Sequence, residues 1–319
     1  MYSNQLNLPE PFLRAAEARE YSKGDARYSV TELIDPPRYG ALRRLYKDVI
    51  VEDIADNIGS LMGTMFHKML EYSGAPKTGA ILEERLYAEV DGVKISGAMD
   101  HTILTGAGQL DDYKETKVYS VRQALRHGKP EWTAQLNIYR WLRALHGQQV
   151  EALNIIARMK DWNMAFAIAD AQKEVPGDYP AHEIAVVPIT VWPLEKTEAY
   201  VRDRIQLHLA ADAWVARLEN GEGSHNPPFC SDEERWRNPT RWAVMKEGRK
   251  TAIKLYDDKP EADFVAGQTK GGYVEQRGGE YKRCMLWCSV GRAGLCTQWE
   301  ADKAAAPSAS NIIDTSVFD

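Results

Sequence analysis

A mixed α/β domain with a central sheet flanked by helices, followed by a small cysteine-bearing unit, is the fold class this sequence predicts. Three observations carry that expectation. Helical and strand-like periodicities alternate along the first two thirds of the chain. All four cysteines, Cys230, Cys284, Cys288 and Cys296, fall in the last third. The length, 319 residues with 44% hydrophobic and 27% charged, suits one large domain with an appendage, or two domains.

The elements follow in chain order. Residues 1–28 read as a polar, partly helical lead-in. Ser29 precedes VTELI in the manner of a helix cap, and Pro36 and Pro37 interrupt that helix. A helix over 59–73 carries Met62, Met65, Phe66, Met69 and Leu70 at helical spacing. Strand-like runs at 82–90, 93–104 and 109–114 are separated by turn signals, Asp91 with Gly92 and TGAG at 105–108. A helix covers 131–146, and strands at 152–159 and 183–192 bracket a loop rich in Asp, Pro and Gly. A long amphipathic helix runs over 194–219 and stops at NGEG, 220–223. That stop, with HNPP at 225–228, divides a core over 29–223 from a C-terminal unit over 224–302. The unit has strand signals at 251–256 and 273–276, and residues 303–319 read as a flexible tail.

No apolar run approaches the ~20 residues that span a bilayer, and the N-terminus lacks a charged-then-apolar export pattern. The expectation is a cytoplasmic protein with no membrane partner, whose cysteines bind metal or are buried as thiols rather than paired. The net charge of −6 does not exclude nucleic acid, because a cleft needs only local basic surface. Two basic stretches, 38–47 and 235–250, suit either phosphate contact or solvated charge; the second interleaves Trp236 and Trp242.

The residues that bear chemistry start with GAMD at 97–100 and LDDYK at 110–114. Phosphodiester hydrolysis needs a cation to offset phosphoryl charge, and hard cations take carboxylate oxygens. Asp100 and Asp112 would arrive from neighbouring strands, and Lys114, two residues after Asp112, projects from the same face. A three-residue loop at 106–108 would pair Asp100 with Lys114 and keep all three groups together, whereas a four-residue loop would send Asp100 to the other side. Upstream, GTMFH at 63–67 sets His67 one helical turn before Glu71, a carboxylate able to orient the imidazole. Downstream, QLNIY puts Gln135 and Tyr139 on one helix face. His101, His127, His146, His182, His208 and His225 fit no ligand spacing, and His101 should face away from Asp100.

In series, GTMFH, GAMD, DDYK and QLNIY resemble the RecB-like nucleases of the PD-(D/E)XK superfamily, over about residues 29–200. CRISPR-associated exonucleases and many phage exonucleases belong to that group. The resemblance implies a restriction-endonuclease-like core with a central mixed sheet. It implies Mg²⁺ or Mn²⁺ held by His67, Asp100, Asp112 and the backbone carbonyl of Tyr113, a catalytic Lys114, and a supporting pair, Gln135 and Tyr139. The pattern selects Asp112 over Asp111, which should point to the opposite face. The implied activity is a metal-dependent DNA exonuclease of recombination, repair or phage DNA metabolism. Its partners would be DNA of either strandedness and a recombination or single-strand-binding protein. A flap-, junction- or site-specific endonuclease, and a silent DNA-binding subunit, stay open beside it.

The chain departs from the family at its cysteines. Many relatives carry a cysteine just before Pro-Arg that joins three C-terminal ones around an iron–sulfur cluster. Here the stretch reads IDPPR at 34–38, with proline in that place, and Cys284, Cys288 and Cys296 are more widely spaced than usual. Cys230 would complete a Cys₄ set for an iron–sulfur cluster or zinc; four reduced thiols are the alternative.

Overall fold

Local capping rules start the fold. After β1 (Tyr2–Ser3), α1 (Glu10–Glu17) and β2 (Tyr28–Ser29), the hydroxyl of Ser29 accepts from the Glu32 N–H while the Glu32 carboxylate accepts from the Ser29 N–H. This reciprocal box starts α2 (Val30–Ile34). Pro37, expected as a breaker, also begins α3 (Pro37–Leu45), since proline is tolerated in a first turn. The structure, a computed structural model, describes residues 2–18, 22–73, 79–175, 177–222 and 228–305. Residues 223–227 of the expected boundary, with His225, and all of the tail beyond 305 lie outside the described residues.

The chain divides into two compact units, residues 1–40 with 51–224 and residues 41–50 with 225–319. In the first, β3 (Glu52–Asp53) leads into α4 (Ile54–Tyr72), which begins five residues before the expected position because the Asp53 carboxylate caps it through the Ala55 N–H. Next come β4 (Ile81–Val90), β5 (Val93–Ile103), β6 (Gln109–Thr116), α5 (Val118–His127), α6 (Pro130–Leu145), β7 (Ala152–Met159), α7 (Met164–Ala171), β8 (Ile184–Pro188) and α8 (Leu194–Glu219). Sequence reading did not find α5 or α7. The YSV run of α5 is strand-like in composition. In α7, exposed Met164, Phe166 and Ile168 break any polar–apolar rhythm, and the helix begins because Asn163 caps Ala165.

The sheet runs β2-β5-β6-β7-β8, with β4 also paired to β5. β4–β5, β5–β6 and β7–β8 are antiparallel, whereas β2–β5 and β6–β7 are parallel, so the sheet is mixed. The parallel pair needs a crossover, which α5 and α6 supply. Ile95, Met99, Leu110, Ile155 and Ala157 from the strands pack with Leu136, Ile138 and Leu142 of α6 and Val201 and Ile205 of α8.

In the second unit, β9 (Arg241–Lys246), β10 (Lys254–Tyr256) and β11 (Gly272–Arg277) form an antiparallel sheet with β9 in the centre, and α9 (Lys259–Gln268) packs on it through Ala262 and Ala266 against Val244 and Tyr256. β9 lay hidden inside a stretch read for its charge. A π-helical turn (Arg283–Trp287), α10 (Ser289–Arg292) and α11 (Thr297–Ala305) follow, so helix continues to 305, past the point where the tail was expected. The first arginine of each basic stretch is internal. Arg38 is buried and its guanidinium lies 4.8 Å from the Trp214 ring centroid, while buried Arg235 pairs with Asp302 over the Tyr281 ring. Neither is available to phosphate. Among the described residues, no helix is long and apolar enough to cross a membrane.

Candidate metal centre

Strand register decides which side chains meet. In the β5–β6 hairpin, His101 faces Asp111, Thr102 faces Leu110 and Ile103 faces Gln109. The connection is 104–108, longer than either loop considered from sequence. It keeps the parity of the three-residue loop, so Asp100 shares a face with Asp112 and Lys114. The next step of the register puts Asp100 across from Asp112 rather than Lys114. Asp111 points to the other face, where it accepts from Gln109 Nε2 (2.9 Å) and Asn154 Nδ2 (2.9 Å) and bonds His101 Nδ1 (2.8 Å).

Beyond that last pair β5 and β6 separate, and Asp100 bridges the gap: its Oδ2 accepts from the Tyr113 N–H at 2.6 Å. A strand residue's N–H and C=O lie on the same side, so the Tyr113 carbonyl faces the same gap. Asp112 is 2% exposed. Its Oδ1 accepts from Gln135 Nε2 at 2.9 Å, and that amide also donates to the Tyr139 hydroxyl at 3.0 Å. Its Oδ2 lies 2.7 Å from Lys114 Nζ in a buried ion pair. Burial pushes the Asp112 carboxyl up to about 6; Lys114 pulls against that, and Asp100 adds to it.

His67 comes from α4. Its Nδ1 lies 3.3 Å from Asp100 Oδ1 and 3.9 Å from Glu83 Oε1. Hydrogen bonding to Asp100, then to Glu83, raises the imidazole to about 10, so it carries a proton at neutral pH. Glu71, the partner expected from helix spacing, instead pairs with Lys68 at 2.6 Å. It sits on an exposed part of the helix, where solvent and a nearby lysine compete for it.

Sequence reasoning missed Glu83, yet a signal existed. Asp91 (φ 50°) and Gly92 (φ 75°) make a tight turn with two left-handed residues, which sets the β4–β5 register. Leu82 faces His101 and Glu84 faces Met99, leaving Glu83 across from Asp100. Glu83 itself has φ 50°, rare for a strand residue bearing a β-carbon. The glycine of GAMD also has a tertiary reason: a Cβ at Gly97 would stand 2.8 Å from the Tyr139 ring and 2.9 Å from Leu142.

The sheet and two helices thus bring together His67, Asp100, Asp112, Tyr113, Lys114, Gln135 and Tyr139. Ligand atoms of His67, Glu83 and Asp100 lie within 4.8 Å of one another, the one such group among the described residues. Oxygen-rich donors with one imidazole fit a divalent cation.

The four cysteines are free thiols in the second unit. Cys288 Sγ accepts from the Gly291 N–H, and Cys230 is tied through its N–H and C=O to the side chain of Gln298, two residues after Cys296. Burial pushes the Cys284 and Cys288 thiols up, and neighbouring cysteines add to it, so these thiols sense one another. No three of them are as close together as the His67 group.

No family model and no curated protein matches this sequence. Several solved structures are similar, two of them as follows. SSO0001 is 20% identical, with 62% of this chain and 85% of that chain covered and a TM-score of 0.42. A candidate exonuclease from Eubacterium rectale is 14% identical, with 74% and 82% covered and a TM-score of 0.26. At those levels neither likeness bears on what this chain does.

Proposed function

We propose that the first unit is a metal-dependent deoxyribonuclease, acting as an exonuclease in recombination, repair or phage DNA metabolism. One observation supports this above the others: Asp100 and Asp112 stand across a splayed strand pair with Lys114 2.7 Å from Asp112 and His67 3.3 Å from Asp100. Glu83, His67, Asp100, Asp112 and the Tyr113 carbonyl would hold Mg²⁺ or Mn²⁺. Such an ion supplies positive charge for the phosphoryl oxygens and lowers the pKa of the attacking water.

The chain's own groups do the rest. To hold a cation, His67 would have to release to solvent the proton that Asp100 and Glu83 favour, because only the neutral imidazole ligates. Gln135, fixed by Tyr139, holds Asp112 in one orientation. The Lys114 ammonium, supported by Asp112, offsets negative charge as it develops on the phosphate. In the second unit, Cys230, Cys284, Cys288 and Cys296 would have to draw together to hold an iron–sulfur cluster or zinc, and four reduced thiols are the alternative. Metal analysis and the absorption spectrum of anaerobically purified protein test that set, and a metal-free protein with unchanged melting after Cys284→Ser rejects it.

The deciding assay uses end-labelled linear DNA and closed circular DNA with and without Mg²⁺ or Mn²⁺, with Asp112→Ala as control. Loss of label from linear DNA with circles intact is the expected result. Cut circles convert the reading to an endonuclease. Cleavage by neither route, or equal cleavage by Asp112→Ala, overturns it.

A further inference from the structure

Trp132, Gln135 and Tyr139 follow one another at intervals of three and four on one face of α6, and the extended N-cap residue Lys129 continues that row by laying its Nζ against the Trp132 ring. The inner end of the row belongs to the candidate metal centre, since Gln135 bonds Asp112 and Tyr139 bonds Gln135. Trp132, Gln135 and Tyr139 are 6%, 4% and 4% exposed. Lys129 is half-buried at the outer end, its Nζ 4.3 Å from the Trp132 ring centroid. Lys129 and Gln135 are six positions apart, about 9 Å at ~1.5 Å of helical rise per residue.

Most cations on this unit have acidic partners: Lys23 with Glu32, Lys94 with Asp25, Lys114 with Asp112, Arg158 with Glu115. No carboxylate lies within ion-pair distance of Lys129 Nζ among the described residues. Burial depresses its basicity; Glu131 partly offsets this, and the nearby Lys114 charge deepens it. A partly desolvated ammonium, braced on a tryptophan face and adjacent to a second lysine, lacks only an anion.

We propose that Lys129 binds a backbone phosphate of the DNA one to three nucleotides from the scissile bond, with Trp132 as the residue that positions it. The span follows from the 9 Å of helix and the ~3.4 Å advance per phosphate of one strand. This rests on the nuclease reading above. The row would fix which phosphate reaches Asp100 and Asp112, because one end grips the backbone while the other holds Asp112.

The test compares the full-length protein with Lys129→Met and Lys129→Arg. Binding of a fluorescein-labelled oligonucleotide is followed by anisotropy in Ca²⁺ over a salt series. Cleavage in Mn²⁺ uses the same oligonucleotide and bis(p-nitrophenyl) phosphate, which has no neighbouring phosphate. Lys129→Met should weaken oligonucleotide binding about tenfold and reduce the slope of log affinity against log salt by about one. Its hydrolysis of the small diester and its melting temperature should match wild type, and Lys129→Arg should restore binding. An unchanged salt slope in Lys129→Met overturns the proposal, as does equal loss on both substrates. Failure of the wild-type protein to bind or cut DNA overturns the nuclease reading itself, a separate outcome.

Discussion

Two helices supply polar groups to the same centre, and they are held in opposite ways. α6 buries Trp132, Ala134, Gln135, Leu136, Asn137, Ile138, Tyr139, Trp141, Leu142 and Arg143, whereas the one buried residue of α4 is Ile54. Met62, Met65, Met69 and Tyr72 of α4 are exposed. Gln135 and Tyr139 are therefore set by packing. His67 is set mainly by its own ion pairs to Asp100 and Glu83. One side of the centre is preorganised by the core and the other by electrostatics, so core changes, charge changes and pH should affect them differently.

The largest expected effect removes the residue both sides share. Asp112→Ala should lower metal-dependent cleavage on the order of a thousandfold or more, about 4 kcal/mol in the barrier, while DNA binding persists. Full turnover in an endpoint-free initial-rate assay would end the assignment. On the packed side, Leu136→Ala deletes a fully buried side chain and should cost about 2–5 kcal/mol in urea unfolding. Gly97→Ala pushes a methyl group into the Tyr139 ring and should cost about 1–3 kcal/mol. That change should slow cleavage too, because Tyr139 steadies Gln135. An unfolding midpoint equal to wild type for either variant would show that α6 is not the rigid partner.

On the electrostatic side, pH is the probe. His67 at about 10 and Asp112 at about 6 both lie above their ordinary values of 6.5 and 3.8. The folded state thus holds more protons than the unfolded chain, and stability falls as pH rises. The contribution of Asp112 is complete below 3.8 and lost as pH rises through about 6; that of His67 is complete below 6.5 and lost through about 10. Melting temperature in chelator should fall across that range, and Mg²⁺ or Mn²⁺ should restore it at the alkaline end. A profile identical with and without cation would argue against metal at these residues. Least of all, Met65→Ser on the exposed face of α4 should change stability by no more than about 0.5 kcal/mol. A drop comparable to that of Leu136→Ala would place α4 with α6.

Read from sequence, the two helices look alike, since both carry apolar residues at helical spacing with polar groups among them. Periodicity reports that a helix has an apolar stripe, not whether anything covers it. For the same reason α5, α7 and β9 escaped notice, their rhythm being short or masked by charge. Nor does helix spacing choose a partner for His67: Glu71 is its neighbour on the helix, and Glu83 is its neighbour in space.

By itself the sequence determined the order of α4, β4, β5, β6, α6 and β7, the elements that carry the centre, because period-two and period-3.6 patterns are local properties of consecutive side chains. Alternation also placed Asp112 and Lys114 on one face and Asp111 on the other. Tertiary structure alone decided the loop length that seats Asp100 across from Asp112 and the contact that requires glycine at 97. Those features depend on register between strands and on the distance from sheet to helix. Both arise from contacts between residues far apart in the chain, which no local pattern encodes.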